Sequence, residues 1–210
     1  MTPVFILPGW LNSGPSHWQS LWQAAHGDTR VEQHDWQRPL RGDWCARLEE
    51  TVVNHLAQNA RAAHCADNSG STGIVLVAHS LGCHLVAAWA AASAHTSAVR
   101  GALLVAPPDV TQADLPPDMA SWRKPVLAPL PFPPVCVVSS NDPFASHSAG
   151  QAMAAHWGAR CYSAGPVGHI NGDSGLGHWP AGRALLAPWL SVTEPAQARL
   201  SHAHHGPFII

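Results

Sequence analysis

Three runs of the chain, VFIL at 4–7, GIVLVA at 73–78 and VCVV at 135–138, carry no polar side chain at all. A strand with one face in water alternates polar and apolar residues, and these do not. They are expected to be strands covered on both faces, the setting of a parallel sheet between two helical layers. RVEQHDW at 30–36, GALLVA at 101–106 and ARCYSA at 159–164 are weaker strand candidates. Helical patterns fall between them at about 16–25, 43–63, 81–95, 145–157 and 180–190. Strand and helix therefore alternate along the chain, which predicts an α/β fold with a mostly parallel sheet of about six strands and helices on both faces.

Two stretches interrupt the alternation. ADNSGSTG at 66–73 reads as a surface loop, and residues 106–134 hold too many prolines for a long helix. The second segment either lines the mouth of a pocket or only crosses the sheet edge. The 210 residues suit one domain burying roughly 70% of its unfolded surface. That domain is expected over 1–192, followed by a tail at 193–210 in which no element can be read.

Composition narrows the partners. Lys124 is the sole lysine, the ten arginines are scattered and the net charge is −2, so no basic stripe exists for nucleic acid or anionic lipid. No apolar run approaches the roughly 20 residues of a membrane span. No Lys or Arg precedes Arg30, so the start lacks the basic region of a secretory signal, and a cytoplasmic location is expected. Cys45, Cys65, Cys83, Cys136 and Cys161 form no Cys-x-x-Cys pair and are odd in number, which points to reduced thiols.

Between the apolar run ending at Ala78 and the alanine-rich helix pattern from Leu81 stand His79 and Ser80. A serine on a sharp turn between a buried strand and a helix, with small residues two before and two after, is the nucleophile position of the α/β-hydrolase fold. Ala78 and Gly82 are those small residues, and Ala78 departs from the usual Gly-x-Ser-x-Gly. The plainer reading makes Ser80 the N-cap of the helix. A serine hydroxyl needs a histidine to take its proton and a carboxylate to orient that histidine. Asp142 follows the strand at 135–138, and His169 lies in the glycine-rich AGPVGHINGDSGLGHWP, so serine, acid and histidine occur in the order this fold uses. Asp109, also after a strand, is the second choice for the acid. His178 lies nearer the next helix than His169, and Asp173 is too close to His169 to be preferred.

Two backbone N–H groups should face the oxygen that becomes negative. Leu81 supplies one by position, and PGW after the first strand supplies the other through Trp10, with Leu11 as the alternative because Pro8 has no N–H. Gly9, Leu11, Trp36 and His79 are candidate pocket residues. With no long helical insertion between 106 and 135, the site is expected to be shallow and without a full lid. His202, His204 and His205 lack metal-ligand spacing, and no dinucleotide or phosphate-loop fingerprint is present, so neither metal nor cofactor is expected.

LPGW, EQHDW, VAHSLG, APPDV, SSNDP and GHINGDSGLGHWP together resemble the small serine-hydrolase family of retinoblastoma-binding protein 9 and the bacterial YdeN-like proteins, over residues 3 to about 190. The resemblance implies an α/β-hydrolase fold with Ser80, Asp142 and His169 as triad. It does not carry retinoblastoma binding, because no Leu-x-Cys-x-Glu motif occurs. The expected activity is hydrolysis of a small carboxylic ester through an acyl-enzyme. The alternatives are an amide or peptide substrate, or a binding protein that keeps the fold with vestigial catalysis.

Overall fold

The computed structural model describes residues 2–65 and 73–191. Six strands form one sheet: β1 (Val4–Leu7), β2 (Thr29–Arg30), β3 (Ile74–His79), β4 (Val99–Val105), β5 (Pro134–Val138) and β6 (Arg160–Ser163). They lie in the order β2-β1-β3-β4-β5-β6, and every neighbouring pair is parallel. The helices are α1 (Trp18–His26), α2 (Arg41–Cys65), α3 (Leu81–Ala90), α4 (His147–His156), α5 (Pro180–Ala184) and α6 (Ala187–Leu190).

Burial on both faces explains why the central strands never alternate. Phe5, Leu7, Leu76, Ala78, Leu104 and Val138 face one core, where α2 contributes Trp44, Leu48 and Val52 at spacings of four. Val4, Ile6, Val75, Val77, Leu103 and Val137 face the other, packed by Trp18 and Trp22 of α1 and Trp189 of α6. Successive residues of one strand thus enter opposite cores, and both must be apolar.

Three elements differ from the sequence reading. Pairing of β2 stops at Arg30, with one further bond from Val31 N–H to the Ile6 carbonyl (2.9 Å). The next rung of a parallel ladder would need an N–H from Pro8, which has none. α3 ends at Ala90, five residues early, where Ser93 leaves the helix to bond Glu49 of α2 through its hydroxyl (2.7 Å). The final helix is split, because Pro188 offers no N–H to Ala184 and its ring would strike that carbonyl. The loop expected at 66–73 lies outside the described residues except for Gly73, and the tail from 193 lies outside them entirely.

The proline-rich segment does more than cross an edge. Its 3₁₀ turn at Pro117–Trp122 buries Met119 and Trp122, and the Trp122 indole donates to the Pro39 carbonyl (2.6 Å). Arg123 donates to the carbonyls of Gln112 (3.0 Å) and Leu115 (2.9 Å), so the segment is folded against itself over the carboxyl ends of the strands.

Gly101 of β4 lies under the Trp189 indole, and a Cβ there would sit 2.1 Å from the ring. Gly101→Ala should cost about 1–3 kcal/mol through overpacking and lower the melting temperature by several degrees. Thermal denaturation of the purified variant checks this.

Candidate active site

β1 and β3 are adjacent, yet the chain leaves β1 toward β2 and leaves β3 toward β4. Loops after the two strands therefore part, and the crevice between them is where ligands bind in open α/β sheets. Ser80 stands there with φ 54° and ψ −126°, a strained conformation for a residue with a side chain. Its hydroxyl makes no capping bond to α3. The plain N-cap reading therefore fails on geometry, and the side chain is left free for another partner.

Two glycines make the turn possible. A Cβ on Gly82 would lie 2.3 Å from the Leu7 carbonyl oxygen, so only glycine lets α3 start against the end of β1. A Cβ on Gly9 would lie 2.6 Å from the Ser80 Cβ, so the loop after β1 passes directly beside the serine. Gln19, fully buried on α1, donates to the carbonyls of Leu7 (3.3 Å) and Val77 (3.2 Å) and satisfies the strand ends where they separate.

His169 Nε2 lies 2.9 Å from Ser80 Oγ, and its Nδ1 lies 2.9 Å and 3.0 Å from the two Asp142 oxygens. The imidazole and the carboxylate are 9% and 4% exposed, so both bonds form largely out of water. Phe144 N–H donates to Asp142 Oδ1 (2.9 Å), and the Phe144 ring packs edge-on against the His169 ring at 4.5 Å. Asp109 does not join this chain. Its Oδ1 accepts from the Thr111 backbone (2.9 Å) and hydroxyl (2.6 Å).

The loop carrying His169 is held by residues that sequence reasoning did not single out. Asn141 Oδ1 accepts the Gly168 N–H (2.7 Å), and Ser139 Oγ accepts that of Val167 (3.1 Å). Both lie within three residues before Asp142 in the SSND stretch, so one loop fixes acid and histidine together. On the far side the Trp18 indole donates to the Ile170 carbonyl (2.8 Å) and the Trp22 indole to that of His178 (2.6 Å). The only advance signal for Ser139 and Asn141 was their adjacency to Asp142.

Among the described residues the N–H groups of Trp10 and Leu81 have no hydrogen-bond partner. The Leu11 N–H is bonded to the Trp36 carbonyl (3.0 Å), which removes it as a donor to a substrate. Trp36 itself stacks edge-on against Trp44 (5.5 Å), and neither it nor Gly9 lines the cleft. Leu11 and His79 do line it, with Leu115, Met119 and Phe144. The volume is about 680 Å³, larger than the shallow site expected, because the proline-rich segment folds up as a wall.

Burial disfavours the charged form of His79, His17 and His84. Burial pushes His79 well below its ordinary value, helped by His169 and His17 beside it. His17 is lowered to about 4 by burial, then by Arg30 and His169, and burial lowers His84 to about 4. Among the described residues no group of three or more His, Cys, Asp or Glu is disposed to hold a metal, and His202, His204 and His205 lie outside them.

The fold is a trimmed α/β-hydrolase fold, without strands ahead of β1 among the described residues. A family model described as serine hydrolase matches residues 4–188, and the chain belongs to that family. Its fold is similar to that of a YdeN-like hydrolase from Pectobacterium atrosepticum (23% identity, 90% of each chain covered, TM-score 0.72). It is similar also to the ydeN gene product of B. subtilis (18%, 90% of this chain and 98% of that one, 0.65). An esterase from Rhodococcus shares the fold more distantly (16%, 80% and 83%, 0.55). No curated protein matches the chain. Among the described residues no helix is long and apolar enough to cross a membrane.

Two outcomes are expected. Gly9→Ala should lower kcat about 100-fold by displacing Ser80, with KM little changed, in steady-state assays on folded protein. Stability should fall with acid between the ordinary histidine value, 6.5, and about 4, because the unfolded chain binds protons that buried His17 and His84 do not. Each contributes on the order of 3 kcal/mol above that window, lost as pH falls through it. His84→Gln should flatten this dependence in urea unfolding at pH 7 and pH 4.5.

Proposed function

We propose that the protein hydrolyses carboxylic esters through a Ser80–His169–Asp142 triad and an acyl-enzyme. The observation that carries the reading is the unbroken hydrogen-bond chain from Ser80 Oγ through His169 to Asp142, on a strained strand-to-helix turn beside two unpartnered N–H groups. Ser80 Oγ attacks the ester carbonyl while His169 Nε2 takes its proton, and Asp142 holds Nδ1–H and stabilises the imidazolium. The oxygen that becomes negative sits between the N–H groups of Leu81 and Trp10. Collapse sends the His169 proton to the leaving alcohol. Water, activated by the same histidine, then releases the acid.

The cleft also favours certain substrates. Its charged side chains are Asp109, Asp114 and Asp173, and no Lys or Arg lines it among the described residues. A cleft lined by one sign of charge repels ligands of that sign. Leu115, Met119, Phe144 and Leu11 give it apolar walls. An uncharged ester of short to medium chain fits both properties.

A fluorophosphonate probe should label the wild type and leave Ser80→Ala unlabelled; equal labelling of the two would overturn the reading. With p-nitrophenyl esters, Ser80→Ala, His169→Ala and Asp142→Asn should each lose roughly 10,000-fold in kcat. Neutral esters should exceed carboxylate-bearing ones at least tenfold in kcat/KM, the gap narrowing in high salt. Absence of Ser80-dependent turnover across ester and amide substrates would leave the binding-protein alternative.

A further inference from the structure

His79 precedes the serine, and its ring turns away from it. Its Nε2 lies 2.9 Å from the carbonyl oxygen of His169, ninety residues further along the chain. A carbonyl can only accept, so Nε2 carries the proton and donates. The two rings lie 4.9 Å apart, and on its other side His79 meets the His17 ring edge-on at 4.7 Å. His17 is itself fixed, because its Nδ1 accepts the Gln19 backbone N–H (3.1 Å).

The bond closes a small circuit. His79 is joined covalently to Ser80, through its ring to the backbone of His169, and from the His169 ring back to Ser80 Oγ. What it restrains is a strained piece of chain. Ile170, the next residue, has φ 50°, and a β-branched residue in that region is a conformational outlier. Such strain persists only where neighbours over-determine it. Here two buried side chains from different elements grip two consecutive carbonyls, His79 from β3 on residue 169 and Trp18 from α1 on residue 170.

We infer that His79 is a positioning residue: by gripping the His169 carbonyl it holds the Ile170 turn and so sets the reach of His169 Nε2 to Ser80 Oγ. This rests on the triad reading above. It assigns His79 no contact with the reacting atoms. A displacement of the base by about 1 Å is enough to lower turnover 100-fold without weakening substrate binding.

The test compares His79→Leu, which removes the donor, with His79→Gln, whose amide N–H falls near the position of Nε2. His79→Leu should lose about 30- to 100-fold in kcat with KM within threefold, and its rate of fluorophosphonate labelling should fall in parallel. His79→Gln should recover to within about fivefold of wild type. Equal losses in the two variants would reduce His79 to packing and overturn the assignment, as would His79→Leu at wild-type kcat. If His79→Leu does not fold, a long-range 1H–15N spectrum of the wild type decides: the Nε2–H tautomer at His79 is required, and Nδ1–H overturns it. Ser80→Ala run alongside separates the two readings. Its retention of activity sinks the triad, whereas its inactivity beside an unaffected His79→Leu sinks the positioning role alone.

Discussion

The parting of the chain after β1 and β3 is the constraint on which the rest depends. Four consecutive rungs, from Val4–Val75 to Leu7–Ala78, bring the two strands to the same level at their carboxyl ends. There the loops must diverge, since β2 and β4 lie on opposite sides. Ser80 and the PGW loop are thereby brought face to face with no long-range device other than the sheet. The approach is so close that a Cβ on Gly9 or Gly82 would overlap its neighbours unless they shift. The same crowding leaves the N–H groups of Trp10 and Leu81 without protein partners, which is a cost in a buried turn unless a ligand oxygen completes them.

The histidine is harder to deliver, because it arrives on a loop that leaves the edge strand β6 and must cross over β5 and β4 to reach the serine at the end of β3. Its backbone is accordingly tied at intervals: Val167 and Gly168 to the loop after β5, His169 to β3 and Ile170 to α1. Each tie is a side-chain group bonded to a main-chain group, so the loop needs no secondary structure of its own to hold one conformation. Glycines at 165, 168, 175 and 177 take the positive-φ turns at which the path reverses.

This division explains what the sequence disclosed. Continuous apolar runs announce strands covered on both sides, and a strand–Ser–helix junction with Gly82 announces a tight turn, because both are local patterns. The end of β2 was legible in principle, since Pro8 cannot supply the next rung, but only once the β1–β2 register was known. The split of the last helix was also written in Pro188. The ties made by Asn141, Trp18 and His79 were not readable, because each joins segments at least 27 residues apart and no periodicity marks them. Trp36 shows the reverse case: it stands near a strand end in sequence, yet its carbonyl supports the Leu11 turn while its ring packs on Trp44 behind the loop.

The choice of histidine at position 79 has a physical logic of its own. A lysine or arginine there could donate to the same carbonyl, but it would place a full positive charge about 5 Å from the imidazole that, in the proposed triad, accepts a proton. At an effective dielectric constant of 20 that repulsion is about 3 kcal/mol, roughly a hundredfold against forming the imidazolium. A glutamine would avoid the charge but has no ring to fill the space between His17 and His169. Burial disfavours the charged form of the His79 imidazole, which fills the gap and can donate its hydrogen bond without adding a charge. The same burial makes the fold sensitive to acid, because the protons that would stabilise the unfolded chain are those the interior refuses.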